Sequence, residues 1–310
     1  MQKRTLGKTG LEVSMLGLGC MGMSDLYGPA NEAESMATIH AALDAGITLL
    51  DSGDFYGSGH NELLIRQALR DYPRDQVQIS VKFGILRDPA GGWIGIDNRP
   101  AAIKNFLAYT LKRLGTDYID IYRPARIDPS VPIEDVIGTL AELVEKGYVR
   151  HIGLSEVGAD TLRRAQAVHP ISDLQIEYSL ISRGIEDDIL PACRELGIGI
   201  TAYGVLSRGL LSGHWSKERA LGTHDFRNSV PRFSDENLDH NLALVEALRT
   251  IAHKQAATVA QIAIAWVASR GDDIVPLIGA RRRERLTEAL GTLAIDLSAD
   301  DLRDIEQAIP

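Results

Sequence analysis

The sequence predicts an α/β fold: a (β/α)8 TIM barrel with an N-terminal β-hairpin and long loops at the C-terminal face of its strands. Three observations point there. Short β-rich runs alternate with amphipathic helical segments along the whole chain, which implies parallel strands, because each helix carries the chain back over the sheet. The runs number eight. The 310 residues suit a barrel of that strand count, and no Pro/Ser-rich linker or charge run divides them, so residues 1–310 read as one domain. The competing closure, an open doubly wound sheet, matches strand count and length less well.

The chain opens off this rhythm. Residues 6–11, punctuated by Gly7 and Gly10, read as a hairpin turn between two short strands, suited to plugging the barrel bottom. The eight runs are residues 14–19, 47–52, 78–83, 118–123, 151–156, 173–178, 197–203 and 273–279. Of the helices between them, residues 31–45 are the clearest. Asn31 and Glu34 resemble a capping box, Met36, Ile39 and Leu43 share one face, and Gly46 stops the helix. Residues 133–146 repeat the logic, with Ile133, Val136, Ile137, Leu140 and Val144 as the stripe. Two connections exceed what a compact domain needs: 84–99, with Trp93, and 206–241, with His214, Trp215, Phe226, Arg227 and Phe233. Their aromatics read as lids, which puts Trp93 and Phe226 beside a substrate.

Composition excludes several functions. Lys plus Arg (33) against Asp plus Glu (42) gives a net charge of −9, which argues against a general nucleic-acid or anionic-membrane binder. Cys20 and Cys193 stand far apart, giving neither a disulfide framework nor a zinc site, and the histidines show no metal-binding spacing. The apolar stretches 13–23 and 259–268 suit neither a signal peptide nor a membrane span. The expectation is a cytosolic protein without a metal. The run Gly17-Leu-Gly19-Cys-Met-Gly22 spells G-x-G-x-x-G, yet a dinucleotide fingerprint needs a helix opening on its last glycine and an acidic residue about 20 positions on. Here residues 23–29 intervene and Asp51 comes too late.

Polar residues cluster at strand ends: Asp51, Lys82, Ser155 with Glu156, Gln175 with Glu177, and Tyr203. In a barrel these ends converge on the rim where such folds do chemistry. Lys82, inside the apolar run Ile79-Ser-Val-Lys82-Phe, needs a counter-charge, and Asp51 lies one strand away. Tyr56, five residues after Asp51, can lean over the same rim. An adjacent ammonium favours phenolate and should lower the phenol pKa, making Tyr56 a tuned proton donor for a carbonyl oxygen.

These segments together resemble the aldo-keto reductase family along nearly the whole chain. The resemblance rests on the Lys8-Thr-Gly-Leu-Glu-Val-Ser hairpin, Asp51…Tyr56-Gly…Asn61-Glu62, Val81-Lys82-Phe-Gly, Leu111-Lys-Arg-Leu-Gly-Thr-Asp-Tyr-Ile-Asp120, Gly153-Leu-Ser-Glu156, Gln175-Ile-Glu-Tyr-Ser, Ala202-Tyr203 and Phe226-Arg227…Pro231-Arg-Phe233. It implies a (β/α)8 barrel transferring hydride between a nicotinamide, usually NADP(H), and an aldehyde or ketone. Asp51, Tyr56 and Lys82 match its catalytic residues. Ser155, Glu156 and Gln175 fall where the family holds the nicotinamide carboxamide, Tyr203 where a ring stacks on the nicotinamide, and Leu206, Ser207 and Arg208 where it meets the pyrophosphate. Gly279 leads into Arg281, Arg282, Arg283 and Arg285, one basic island in an acidic protein, read as the 2′-phosphate site of NADPH. Glu288 matches the acid that contacts adenine, although Ala289 follows it in place of the usual Asn.

The main departure is at the fourth strand. In Tyr118-Ile-Asp-Ile-Tyr122-Arg-Pro-Ala125, Ala125 occupies the position of the family's catalytic His. A similar replacement marks pyridoxal reductase-like members, which favours a bulky or polar carbonyl, with Arg123 and Ala125 placed on the substrate side. Proton donation would then rest on Tyr56 with Lys82. His60, His214 and His224 lie in rim loops within reach of a substrate. Two other readings stand beside the reductase: an NADP(H)-binding regulatory subunit with little catalysis, and a glycosidase using Glu156 and Glu177, for which aromatic residues at 5% offer few sugar platforms.

Overall fold

A computed structural model of the chain describes residues 1–309 apart from 25, 220, 223 and 224. β1 (Lys3–Leu6) and β2 (Leu11–Ser14) form an antiparallel hairpin. Then come β3 (Gly17–Gly19), α1 (Glu32–Asp44), β4 (Leu49–Gly53), α2 (His60–Ala68) and β5 (Gln78–Phe83). A second hairpin, β6 (Ile85–Arg87) with β7 (Trp93–Ile96), precedes α3 (Pro100–Leu114), β8 (Ile119–Pro124), α4 (Ile133–Glu145) and β9 (Val149–Ser155). The order continues through α5 (Ala159–Val168), β10 (Ile171–Glu177), α6 (Ile189–Leu196) and β11 (Gly199–Tyr203). A long connection leads to α7 (Asp235–Lys254), α8 (Val259–Ser269), β12 (Ile274–Gly279), α9 (Arg283–Leu290) and α10 (Ala299–Ala308).

Strands β3, β4, β5, β8, β9, β10, β11 and β12 close on one another in that order, all parallel. This is the (β/α)8 barrel expected. Most strand boundaries shift by one or two residues, and the first by more: Ser14 belongs to the hairpin, because Met15 N still donates to Gln2 O while the Ser14 hydroxyl turns onto Leu16 O at 2.6 Å. Connection 84–99 contains the β6–β7 hairpin, and α7 takes over the second connection at Asp235, ahead of residue 241.

The N-terminal hairpin closes one end of the barrel. Its Leu6, Leu11 and Val13 pack against Leu49, Ile121, Val275 and Leu277 from the strands. The turn can approach this closely because Gly7 has φ +61° and a Cβ there would lie 2.6 Å from the carbonyl oxygens of Ser172 and Gly197. At α1, Asn31 Oδ1 accepts the Glu34 amide at 2.9 Å, but the Glu34 carboxylate accepts the amide and guanidinium of Arg283 instead, tying α1 to α9. Residues 259–268 form most of α8, which is buried on every face. Among the described residues no helix is long and apolar enough to cross a membrane.

Inside a barrel strand, residues two apart share a face. Leu49 and Asp51, Ser80 and Lys82, Ile121 and Arg123, and Asp173, Gln175 and Glu177 therefore stack by depth, apolar toward the hairpin and polar toward the opposite mouth.

Candidate active site

Asp51, on β4, and Lys82, on β5, meet at the C-terminal mouth. Lys82 Nζ donates to Asp51 Oδ2 at 2.6 Å, while Asp51 Oδ1 accepts from Ser80 Oγ at 2.9 Å and Gln175 Nε2 at 2.8 Å. Tyr56 follows β4 in a tight turn, where Gly57 and Ser58 take left-handed φ of 56° and 52°. That turn brings the Tyr56 ring over the pair, with Lys82 Nζ 5.1 Å from the ring centre. All three side chains are buried.

The phenol does not titrate as expected from the adjacent ammonium. Burial, reinforced by the Asp51 carboxylate, holds Tyr56 well above the ordinary tyrosine range. Burial also lowers Lys82, against the pull of Asp51. Desolvation outweighs the neighbouring cation because Asp51 already sits on it. Tyr56 in the free barrel is thus a firmly neutral hydroxyl, which is the form a proton donor needs.

Arg123, expected on the substrate side, is directed into the barrel. It is 0% exposed, inside the barrel, with Nη1 donating to Asp173 Oδ2 at 2.8 Å and Thr201 Oγ1 at 3.1 Å, and Nη2 to Ser80 Oγ at 3.0 Å. Its neighbour Ala125 does line the mouth, in an apolar cluster with Phe55, Tyr56 and Ile85, against which Met21 and Ile96 pack. Trp93, on β7, stands half exposed and edge-on to Phe55 at 5.9 Å.

Across the mouth, buried Ser155 lies in register with Gln175. Glu156 adopts φ +55°, accepts the Glu177 amide at 2.9 Å and hydrogen-bonds the Tyr203 hydroxyl. The Tyr203 ring carries the Arg208 guanidinium at 4.8 Å, and the Phe226 ring lies 5.6 Å from the same guanidinium. Ser207 and Arg208 are both left-handed, at φ 45° and 61°, in the turn after Leu206; Ser207 Oγ lies 3.0 Å from Ser179 Oγ. Of the two carboxylates a glycosidase would use, Glu177 is held by Arg208 and Arg232 and Glu156 by the contacts above.

Beyond Gly279 the arginines divide. Arg281 donates to the carbonyls of Tyr27, Gly28 and Pro29, Arg283 pairs with Glu34, and Arg285 meets Glu288, which also faces His214. Two further arginines arrive from the long connection: Arg227, bound to Asp225 at 2.8 Å, and Arg219, over the Trp215 ring at 4.7 Å. The guanidinium of Arg281 is lowered by burial and then by Arg227 and Arg282; that of Arg219 by burial, then by Arg227, with Arg281 and Arg285 adding to it. The region thus gathers guanidinium groups from two segments, of which Arg227, Arg283 and Arg285 are paired with Asp225, Glu34 and Glu288. Arg227 was visible in sequence without an assigned role, and Arg219 had no local signal at all.

The glycine run 17–22 is a strand end and a 3-10 turn; no helix opens on it. His60 bonds Ser24 at 2.8 Å, and His224 lies outside the described residues. Among the described residues no group of three or more His, Cys, Asp or Glu is arranged to hold a metal ion.

The mouth fits a nicotinamide nucleotide on two counts. A planar cation, the Arg208 guanidinium, rests on the Tyr203 face, and arginines from residues 219–227 and 281–285 gather nearby, a donor set suited to anions. A buried phenol, ammonium and carboxylate thus meet at the mouth of a closed parallel barrel, and the class is a barrel oxidoreductase. Known proteins agree. The sequence model of the Aldo/keto reductase family matches residues 15–310, so the chain belongs to that family, whose members use nicotinamide cofactors to interconvert carbonyls and alcohols. It is 45% identical to a probable aldo-keto reductase of Glycine max over 98% of this chain and 88% of that protein. In structure it is similar to a glycerol dehydrogenase of Gluconobacter oxydans, with TM-score 0.90 and 26% identity over 99% of this chain and 94% of that one. An aldo-keto reductase of Bacillus halodurans, in its holo form, gives 0.83 and 27% over 100% and 97%.

Proposed function

We propose that the chain is an NADPH-dependent reductase of small-molecule aldehydes or ketones, with Tyr56 as general acid. The observation that carries this reading is the buried cluster at the mouth, in which Lys82 Nζ lies 2.6 Å from Asp51 and 5.1 Å from the centre of the Tyr56 ring. A bound NADPH supplies the hydride. Tyr56 keeps its proton on Oη and releases it to the carbonyl oxygen as negative charge gathers there. Lys82 then faces the phenolate, and Asp51 keeps Lys82 charged where burial alone would favour its neutral form.

Ser155 and Gln175 would hold the carboxamide, Glu156 braces Tyr203, and the Tyr203 ring would take the nicotinamide. Leu206, Ser207 and Arg208 would hold the pyrophosphate. Gly279, Arg281, Arg282 and Arg285, joined by Arg227 and Arg219, would hold the adenosine phosphates, with Glu288 toward the adenine. The guanidinium groups of Arg219, Arg227, Arg281 and Arg285, gathered against the two carboxylates Asp225 and Glu288, support a 2′-phosphate, hence NADPH over NADH. Ala125 brings only a methyl group to the cluster with Phe55 and Ile85, which supports a bulky or polar carbonyl near Trp93 and Phe226. The two cysteines are buried and unpaired, which suits the cytosol.

Replacing Tyr56 with Phe removes the proton donor and keeps the ring. Carbonyl-dependent NADPH oxidation should fall about 10²- to 10⁴-fold, while NADPH affinity by fluorescence titration stays nearly unchanged. Turnover equal to wild type in Tyr56→Phe overturns the assignment.

A further inference from the structure

The barrel interior holds a second buried cation that the reading above does not use. Arg123 stands opposite Lys82 in the β5–β8 register, so two positive side chains share one layer of the barrel. Each leans on its own carboxylate, Lys82 on Asp51 and Arg123 on Asp173. Ser80 joins the halves: its hydroxyl accepts from Arg123 Nη2 at 3.0 Å and donates to Asp51 Oδ1 at 2.9 Å. Thr201 donates to Asp173 Oδ2 at 2.6 Å and completes a chain from β11 to Lys82.

This arrangement is a poor way to gain stability. Buried ion pairs seldom repay desolvation, and Arg123 Nε is buried with no hydrogen-bond partner. It also dictates a glycine: a Cβ at Gly153 would lie 2.7 Å from Asp173 Oδ1 and 3.1 Å from Arg123 Cζ. Barrel interiors are ordinarily filled by branched apolar side chains, as this one is a layer below. What the pair does accomplish is electrostatic. A guanidinium-polarised Ser80 hydroxyl is a stronger donor to Asp51 Oδ1, drawing carboxylate charge away from Lys82, and the Arg123 charge itself repels the ammonium.

We propose that Arg123 is a positioning residue for Lys82: anchored by Asp173 and Thr201 and linked through Ser80 to Asp51, it sets how much of the Asp51 charge Lys82 feels, and so how firmly Lys82 holds its proton where it faces Tyr56. This rests on the roles given above to Tyr56 and Lys82. The groups that face Lys82 are Asp51 from β4, Cys20 after β3, Asp54 and Tyr56 in the turn after β4, and Arg123 from β8; Asp173 and Gln175 act through Arg123 and Asp51. Burial lowers Lys82 first, and Arg123 lowers it further against Asp51.

The test is a lysine ¹³Cε NMR titration of the free protein, with the Lys82 signal assigned by its loss in Lys82→Met. Arg123→Met should move the Lys82 titration upward by about one pH unit, the size expected of a nearby unit charge at an effective dielectric near 20. Asp173→Asn should move it downward, and Arg123→Lys should hold it near wild type. The basic limb of the kcat/KM profile should follow in the same directions. A Lys82 titration that stays in place in Asp173→Asn overturns the proposal and leaves the pair merely structural; that arm decides even where Arg123→Met fails to fold. Absence of carbonyl turnover in the wild type would overturn the reductase reading alone, since the NMR titration needs no turnover.

Discussion

The two ends of the barrel interior are built from opposite materials on the same strands. Toward the hairpin lie Leu49, Ile121, Val275 and Leu277, capped by Leu6, Leu11 and Val13. Two residues further along β4 and β8 the side chains become Asp51 and Arg123, and around them Ser80, Lys82, Asp173 and Gln175 form a continuous hydrogen-bonded charge network. A fully buried aliphatic side chain contributes about 1.5–3 kcal/mol, whereas a buried ion pair roughly breaks even. The plugged end therefore stabilises the barrel, and the open end uses that stability to keep an ammonium, a guanidinium and two carboxylates away from water.

The comparison breaks hardest at the plug. Leu6→Ala removes a side chain with no exposure, set against the Gly199 backbone, and should lower unfolding free energy by about 3 kcal/mol in a denaturant titration. Turnover per folded molecule should stay at the wild-type level. A raised KM in Leu6→Ala would mean that the two ends are mechanically coupled.

At the other end, beyond the charge network, Arg285→Ala should weaken NADPH by about tenfold, or 1.4 kcal/mol, and leave NADH nearly unchanged. Arg285 suits this test because its pairing partner Glu288 is also held by His214, so the helix terminus keeps a contact. Equal losses for both nucleotides would move the 2′-phosphate elsewhere in the cradle, toward Arg227 or Arg219.

How much of this was legible in the sequence follows from the range of each interaction. The eight strands were legible because burial on both faces leaves short apolar runs, and the rim because polar residues interrupt those runs at one end. Depth was not. Arg123 lies near the end of its strand run as Lys82 does, and nothing local distinguishes a side chain directed to the mouth from one directed to Asp173, 50 residues away. Arg219 and Arg227 join Arg281 only through tertiary folding of the long connection. The Tyr56 phenol illustrates the same limit in energy: the neighbouring ammonium is readable from spacing, whereas the desolvation that overrides it depends on how completely the turn closes over the ring.

The subtlest probe of the contrast is a carboxyl group at the edge of the polar end. Asp54 is buried, its Oδ1 has no hydrogen-bond partner, and burial followed by the nearby Glu62 raises its pKa well above the ordinary aspartate value of 3.8. The sign follows directly. A carboxyl whose folded pKa is raised favours the fold fully below the unfolded pKa, and that contribution is lost as pH rises through the folded pKa. Asn has the same shape and no charge to desolvate, so Asp54→Asn should have little effect near pH 4 and stabilise by about 1 kcal/mol near pH 8. Melting temperatures of both proteins across that range give the answer. A difference that stays constant with pH would mean that Asp54 is ionised in the fold and that the polar end tolerates an unpaired charge there, which the Leu-lined end of the same barrel could not.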